Sequence, residues 1–158
     1  MPVKKILVVD DSPTDRQYVI ETLKGKGFQI VTAENGEDAI MKAKAELPDL
    51  ILMDVVMPGL NGYQATRQIT RDDATKHIPV IMCTSKNQQT DRIWGLRQGA
   101  IDYMVKPVSP DQLVAKAQAT LLRVGGFHVF GKGAHLHGWC RIVRVSRAPR
   151  SSRATRRS

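Results

Sequence analysis

Apolar and polar positions alternate along the first 122 residues in a repeating order: a short aliphatic run, then a longer stretch with helical spacing. Lys5–Val9 contains Ile6-Leu7-Val8-Val9, an unbroken β-rich run suited to a central parallel strand buried on both faces. Ser12-Pro13 then opens a helix: Ser12 can cap it, Pro13 suits its first position, and Asp15 favours its positive end. That helix carries Tyr18, Val19 and Leu23 and ends around Gly25 or Gly27. Phe28–Ala33 reads as a second strand, and Asn35-Gly36 turns into an Ala/Lys-rich helix that stops before Pro48. Asp49–Asp54 is a third strand, apolar until its last residue. A turn-rich loop over 55–62 leads to a helix from Gly62 to Thr70, with Asn61 as its cap. Pro79–Thr84 is a fourth strand, Gln88–Gln98 a weaker helix containing Gly95, and Ile101–Val105 a fifth strand. Lys106-Pro107 leads to a last helix from about Pro110 to Leu122, opened by Ser109.

Single helices between successive strands imply βα units with right-handed crossovers. The expected fold is therefore α/β: a five-stranded parallel sheet, doubly wound, with helices on both faces. In such sheets ligands and chemistry gather at the carboxyl ends of the strands. The residues falling there are Asp10 and Asp11 after the first strand, Asp54 after the third, Thr84 and Ser85 after the fourth, and Lys106 after the fifth.

Carboxylates crowded into one cleft repel one another unless a divalent cation or bound protons offset the charge. Magnesium suits the set, being hard, oxygen-preferring and commonly shared between one or two carboxylates and phosphate oxygens. No His or Cys occupies these positions, which argues against zinc or copper. A carboxylate beside such a cation, faced by Lys106 and Thr84, is suited to receive a phosphoryl group. Other phosphate-handling patterns fit less well. Asp10-Asp11-Ser12-Pro13 stands where a dinucleotide fold needs glycines, and no GxxxxGK[ST] loop occurs. An aspartyl phosphohydrolase normally spaces two aspartates by one residue after the first strand, whereas Asp10 and Asp11 are adjacent.

Asp10-Asp11, Asp54-Val55-Val56-Met57-Pro58, Thr84-Ser85 and Lys106-Pro107 together resemble the receiver domain of bacterial two-component response regulators, in the chemotaxis-regulator-like form. The likeness runs from about Lys4 to Leu122, and its wording is most similar to response regulators of type IV pilus twitching motility. It implies a flavodoxin-like strand order of 2-1-3-4-5. It also implies that Asp54 is the phosphoacceptor, assisted by Thr84 and Lys106. Mg2+ would be held by Asp10, Asp11, Asp54 and the backbone carbonyl of Val56, and the Lys106–Pro107 bond would be cis. Thr84 and Tyr103 resemble the family's switch pair, in which phosphorylation draws the threonine inward and lets the aromatic ring follow. Val56 and Lys86 stand where the chemotaxis protein has polar and acidic residues, near the path of hydrolytic water.

Each residue taken alone has a plainer reading. Asp10 and Asp11 could end a strand and cap a helix, Asp54 could be a turn residue, and Lys106 a solvated loop lysine. Thr84 could cap a helix, and Tyr103 could be simple strand packing. The phosphoacceptor reading prevails because separate landmarks converge on one sheet edge.

Composition alters this picture only at the C-terminus. The 158 residues carry a formal charge of +9 with 42% hydrophobic residues, enough for one core. Residues 1–122 hold 15 basic and 15 acidic residues, whereas 123–158 hold nine basic and no acidic ones. The whole-chain charge is thus no argument about the first part. The domain division reads as 1–122, the receiver, and 123–158, a basic tail expected to be disordered or non-native, with the break near Gly125-Gly126. Arg141, Arg144, Arg147, Arg150, Arg153 and Arg156 recur every third residue, which suits an extended chain and nonspecific anion binding. His128, His135, His137 and Cys140 offer a metal-like spacing, but without an ordered scaffold no site is assigned to them. Cys83 reads as a small buried hydrophobe.

No apolar run reaches the roughly 18 residues of a membrane span, and the N-terminal run is too short for a signal peptide. The chain is expected in the cytoplasm. The resulting expectation is a single-domain response regulator, a phosphoacceptor switch rather than a turnover enzyme. A sensor histidine kinase would supply the phosphoryl group, and a downstream motor or pilus-machinery protein would read it. Nucleic acid is not the expected partner; the alternative is a basic nucleic-acid-binding adaptor that uses the tail.

Overall fold

The computed structural model describes residues 4–85 and 89–126, over which strands and helices alternate strictly. The order is β1 (Lys5–Val9), α1 (Pro13–Lys24), β2 (Gln29–Ala33), α2 (Gly36–Glu46), β3 (Leu50–Met53), α3 (Gly62–Arg71), β4 (Val80–Thr84), α4 (Gln89–Arg97), β5 (Asp102–Val105) and α5 (Pro110–Gly126). All pairings are parallel, and the sheet order is β2-β1-β3-β4-β5. The doubly wound α/β expectation and its strand order both hold.

Period-two alternation sorts the strand side chains into two layers. Leu7, Val9, Ile51, Met53, Val80, Met82 and Tyr103 pack with Ala39 and Ala43 of α2 and with Ala65 and Ile69 of α3. Ile6, Val8, Leu50, Leu52, Ile81, Cys83 and Met104 face the other way, against Val19 and Leu23 of α1 and Leu113, Val114, Ala117 and Leu121 of α5. Burying such side chains is worth about 1.5–3 kcal/mol each. Helix starts follow the local code: Ser12 accepts from the Asp15 N–H, Asn35 from that of Asp38, and Asn61 forms a reciprocal capping box with Gln64.

The boundaries differ in places from the sequence expectation. β2 begins at Gln29 rather than Phe28, and α4 spans Gln89–Arg97 rather than Gln88–Gln98. The last helix runs to Gly126, so a division between 122 and 123 cuts through it. Arg123 is compatible with a helix and favoured near its negative end, and no breaker precedes Gly125-Gly126. Lys86, the arginine period of the tail, His128, His135, His137 and Cys140 lie outside the described residues.

The topology places the chemistry. From β1 the chain crosses to β2 on one side, and from β3 it crosses to β4 on the other. The crossovers therefore part between the carboxyl ends of β1 and β3, leaving a crevice there.

Candidate functional site

Backbone ladders set the two inner carboxylates. The Asp10 N–H donates to the Ala33 carbonyl at 3.2 Å, and the Asp54 N–H to that of Val9 at 2.9 Å. Both residues thus extend the sheet by one position before the chain turns away. Asp10 Oδ1 then accepts from the Ser12 N–H at 2.9 Å, and Asp54 Oδ1 from the Val55 N–H at 2.8 Å. Asp10 and Asp54 are buried, whereas Asp11 is exposed. One carboxylate oxygen from each of Asp10, Asp11 and Asp54 lies within 4.8 Å of the others.

The loop after Asp54 folds back tightly. The Gly62 N–H donates to the Val55 carbonyl at 3.0 Å, and a Cβ at Gly62 would stand 1.9 Å from the Asp54 carbonyl oxygen. Only glycine allows this approach. Val56, two residues beyond Asp54, leaves its side chain exposed.

Lys106 arrives from the far side. Its N–H donates to the Thr84 carbonyl at 2.8 Å, extending the β4–β5 pairing, and its bond to Pro107 is cis. Its Nζ lies 2.6 Å from Asp10 Oδ2, 3.1 Å from Asp15 Oδ2 and 3.6 Å from Asp54 Oδ2. Burial alone would lower the lysine pKa, but the hydrogen bond that Lys106 donates to Asp10 and the charges of Asp54 and Asp10 outweigh it and hold Lys106 above its ordinary range. Asp54 shifts in the opposite chemical sense. Burial, aided by the charges of Asp10 and Asp11, raises its carboxyl to about 6 against the pull of Lys106 and the Val55 N–H.

Thr84 is fully buried at the end of β4. Met82 lies opposite Tyr103 in the register, so Thr84 and Tyr103 project from adjacent strands onto the same sheet face. Tyr103 is buried there too. Every residue expected at the site thus lies at the carboxyl edge or on the face beneath it.

A sequence model of the response regulator receiver domain matches residues 6–118. The chain belongs to the response regulator receiver family. Protein PilH of Pseudomonas aeruginosa is 52% identical over 117 residues, which cover 74% of this chain and 97% of that protein. The phosphate regulon transcriptional regulatory protein PhoB of Escherichia coli is 40% identical over 121 residues, 77% of this chain but 53% of PhoB, so the match spans about half of that relative. Among solved structures, chemotaxis protein CheY4 of Vibrio cholerae has a TM-score of 0.72 and 32% identity, over 75% of this chain and 99% of that one.

Receiver domains are phosphoacceptor signalling switches that interact with histidine kinases and downstream effectors, and they generally hold Mg2+ at an acidic pocket. The donor set of this receiver fits such an ion. Asp10, Asp11 and Asp54 offer hard oxygens only, and one oxygen from each lies within 4.8 Å of the others, close enough to share a dication. Two further residues enter the site that the sequence reading left out of it. Asp15, assigned only to the helix end, pairs with Lys106. Arg16 Nη1 donates to the Asp10 carbonyl at 2.8 Å, while its Nη2 meets Glu34 at 3.3 Å. The available signal was position: Asp15 stands in the first turn of α1, directly after the β1 edge that carries Asp10 and Asp11. Cys83 is buried as expected, and burial pushes its thiol up to about 12, which keeps it unreactive.

Proposed function

We propose that Asp54 of this receiver accepts a phosphoryl group from the phosphohistidine of a sensor kinase in a Mg2+-dependent step, and that the product switches a protein-binding surface. The observation that carries this reading is the Asp10, Asp11 and Asp54 cluster bridged by Lys106 Nζ, which lies 2.6 Å from Asp10 and 3.6 Å from Asp54. An ionised Asp54 oxygen attacks phosphorus; the new O–P bond forms as the P–N bond to imidazole breaks, and the electron pair leaves with the imidazole nitrogen. Asp10, Asp11, Asp54 and the Val56 carbonyl would hold Mg2+, which when bound would neutralise charge on the phosphoryl oxygens. Lys106 moves its charge from the carboxylates to the phosphoryl group, and the Thr84 hydroxyl donates a hydrogen bond to it. Tyr103, on the same sheet face as Thr84, carries the change to the surface around α4 and β5. The protein catalyses only its own aspartyl phosphorylation and dephosphorylation.

The likeness to PilH accords with a place in type IV pilus twitching motility or a related chemotaxis-type pathway, read by a motor or pilus-machinery protein in the cytoplasm. No helix among the described residues is long and apolar enough to cross a membrane. Intact-mass analysis with acetyl phosphate and Mg2+ tests the chemistry. The parent gains one alkali-labile phosphoryl group, Asp54→Asn gains none, and omitting Mg2+ abolishes the gain. A gain that persists in Asp54→Asn refutes the assignment.

A further inference from the structure

Thr84 is one link between the acidic edge and Tyr103; the loop after Asp54 supplies a second. Gly62 sits so close to the Asp54 carbonyl that a single added methyl would overlap it, so the first turn of α3 follows the Asp54 peptide rigidly. Tyr63 is the next residue. Its hydroxyl donates to the Asp91 carbonyl in α4 at 3.1 Å, and its ring and that of Tyr103 both pack against Gly95 of the same helix. The same turn of α4 grips Tyr103 from above: the Arg92 guanidinium lies 5.9 Å from its ring centroid. One turn on, Gly95 lets the helix settle, since a Cβ there would stand 3.1 Å from Met82 Cγ, 3.5 Å from Tyr103 and 3.6 Å from Tyr63. Two tyrosines, one helix turn and one glycine therefore form a single packed unit whose base is tied to Asp54.

We propose that Tyr63 is a positioning residue that couples the Asp54 loop to Tyr103 and α4, in parallel with Thr84. Its part in signalling rests on Asp54 being the phosphoacceptor; its hold on Tyr103 does not. Because the ring of Tyr63 packs while its hydroxyl bonds, Tyr63→Phe keeps the volume and removes only the tie. Tyr18→Phe is the matched control, since the Tyr18 hydroxyl donates to the Val108 carbonyl at 3.0 Å on the opposite face of the sheet.

The chain has three tyrosines, so the full-length protein labelled with 3-fluorotyrosine gives three 19F resonances, assigned by single Tyr→Phe changes. In Tyr63→Phe the solvent-exposed population of Tyr103, read by paramagnetic relaxation of its resonance, rises about threefold to tenfold, the change expected from losing one ordinary hydrogen bond. Tyr18→Phe leaves it at the parent value. An unchanged Tyr103 in Tyr63→Phe, or an equal change in Tyr18→Phe, overturns the proposal. Intact mass after acetyl phosphate and Mg2+ is measured alongside, and both variants gain the phosphoryl group as the parent does. Should the parent itself fail to gain it, the phosphoacceptor reading falls, while the 19F comparison on the unmodified chain still decides the role of Tyr63.

Discussion

The interior of the sheet and its carboxyl edge obey opposite rules. Inside, aliphatic side chains fill both layers, and among the described residues no buried side-chain nitrogen or oxygen lacks a hydrogen-bond partner. At the edge, Asp10 and Asp54 are almost as buried as the core, yet they carry like charges answered by one lysine. Interior residues stabilise the fold in proportion to the area they cover. Burying Asp54 works against it, and the raised pKa of that carboxyl records the cost. The difference teaches that the core holds buried a carboxylate that water would otherwise solvate; on the proposed function, a cation or a phosphoryl group would meet a site already assembled.

Three changes would break or sharpen this contrast. The largest effect belongs to the interior: Leu113→Ala, at a fully buried position between α5 and the sheet, lowers stability by about 3 kcal/mol. Urea unfolding measures it, and the phosphoryl mass gain of the folded fraction stays at the parent value.

Asp54→Asn has the opposite sign. Burial raises the Asp54 carboxyl from its ordinary 3.8 to about 6, so the native state binds the extra proton between those values. Its favourable contribution is complete below pH 3.8 and lost as pH rises through about 6. In chelator-treated protein, Asp54→Asn is therefore more stable than the parent by on the order of 1–2 kcal/mol above pH 6. That gap closes as pH falls toward 4, and added Mg2+ narrows it by stabilising the parent. Thermal melts across pH measure both trends; a variant less stable than the parent at pH 7 would contradict the strained-edge account.

The smallest effect comes from Asp15→Asn, which removes the half-exposed partner 3.1 Å from Lys106. Its cost is about 0.5 kcal/mol at low salt and vanishes at high salt, as screened pairs do. Paired urea melts at the two ionic strengths read it.

Much of the architecture was legible in order along the chain. Aliphatic runs such as Ile6–Val9 and Leu50–Met53 cannot face water on either side, and the caps at Ser12, Asn35 and Asn61 announce the helices between them. The acidic positions were equally plain, because Asp10 and Asp54 end runs that are otherwise wholly apolar. Helix ends were less so: α5 continues past Leu122 because no local breaker stops it before the glycine pair.

By itself, then, the chain determined which residues end each strand and that they must share one edge, since period and chirality leave a parallel sheet little choice. Only the tertiary structure decided which of them touch. It gave Lys106 to Asp10 and Asp15 more closely than to Asp54, brought Arg16 to the Asp10 carbonyl, tied Tyr63 to α4 and set it with Tyr103 around Gly95. The physical reason is distance along the chain. Spacing rules fix neighbours one turn or one strand position apart, whereas a contact such as Lys106 with Asp10 depends on how separate elements pack, which no local pattern encodes.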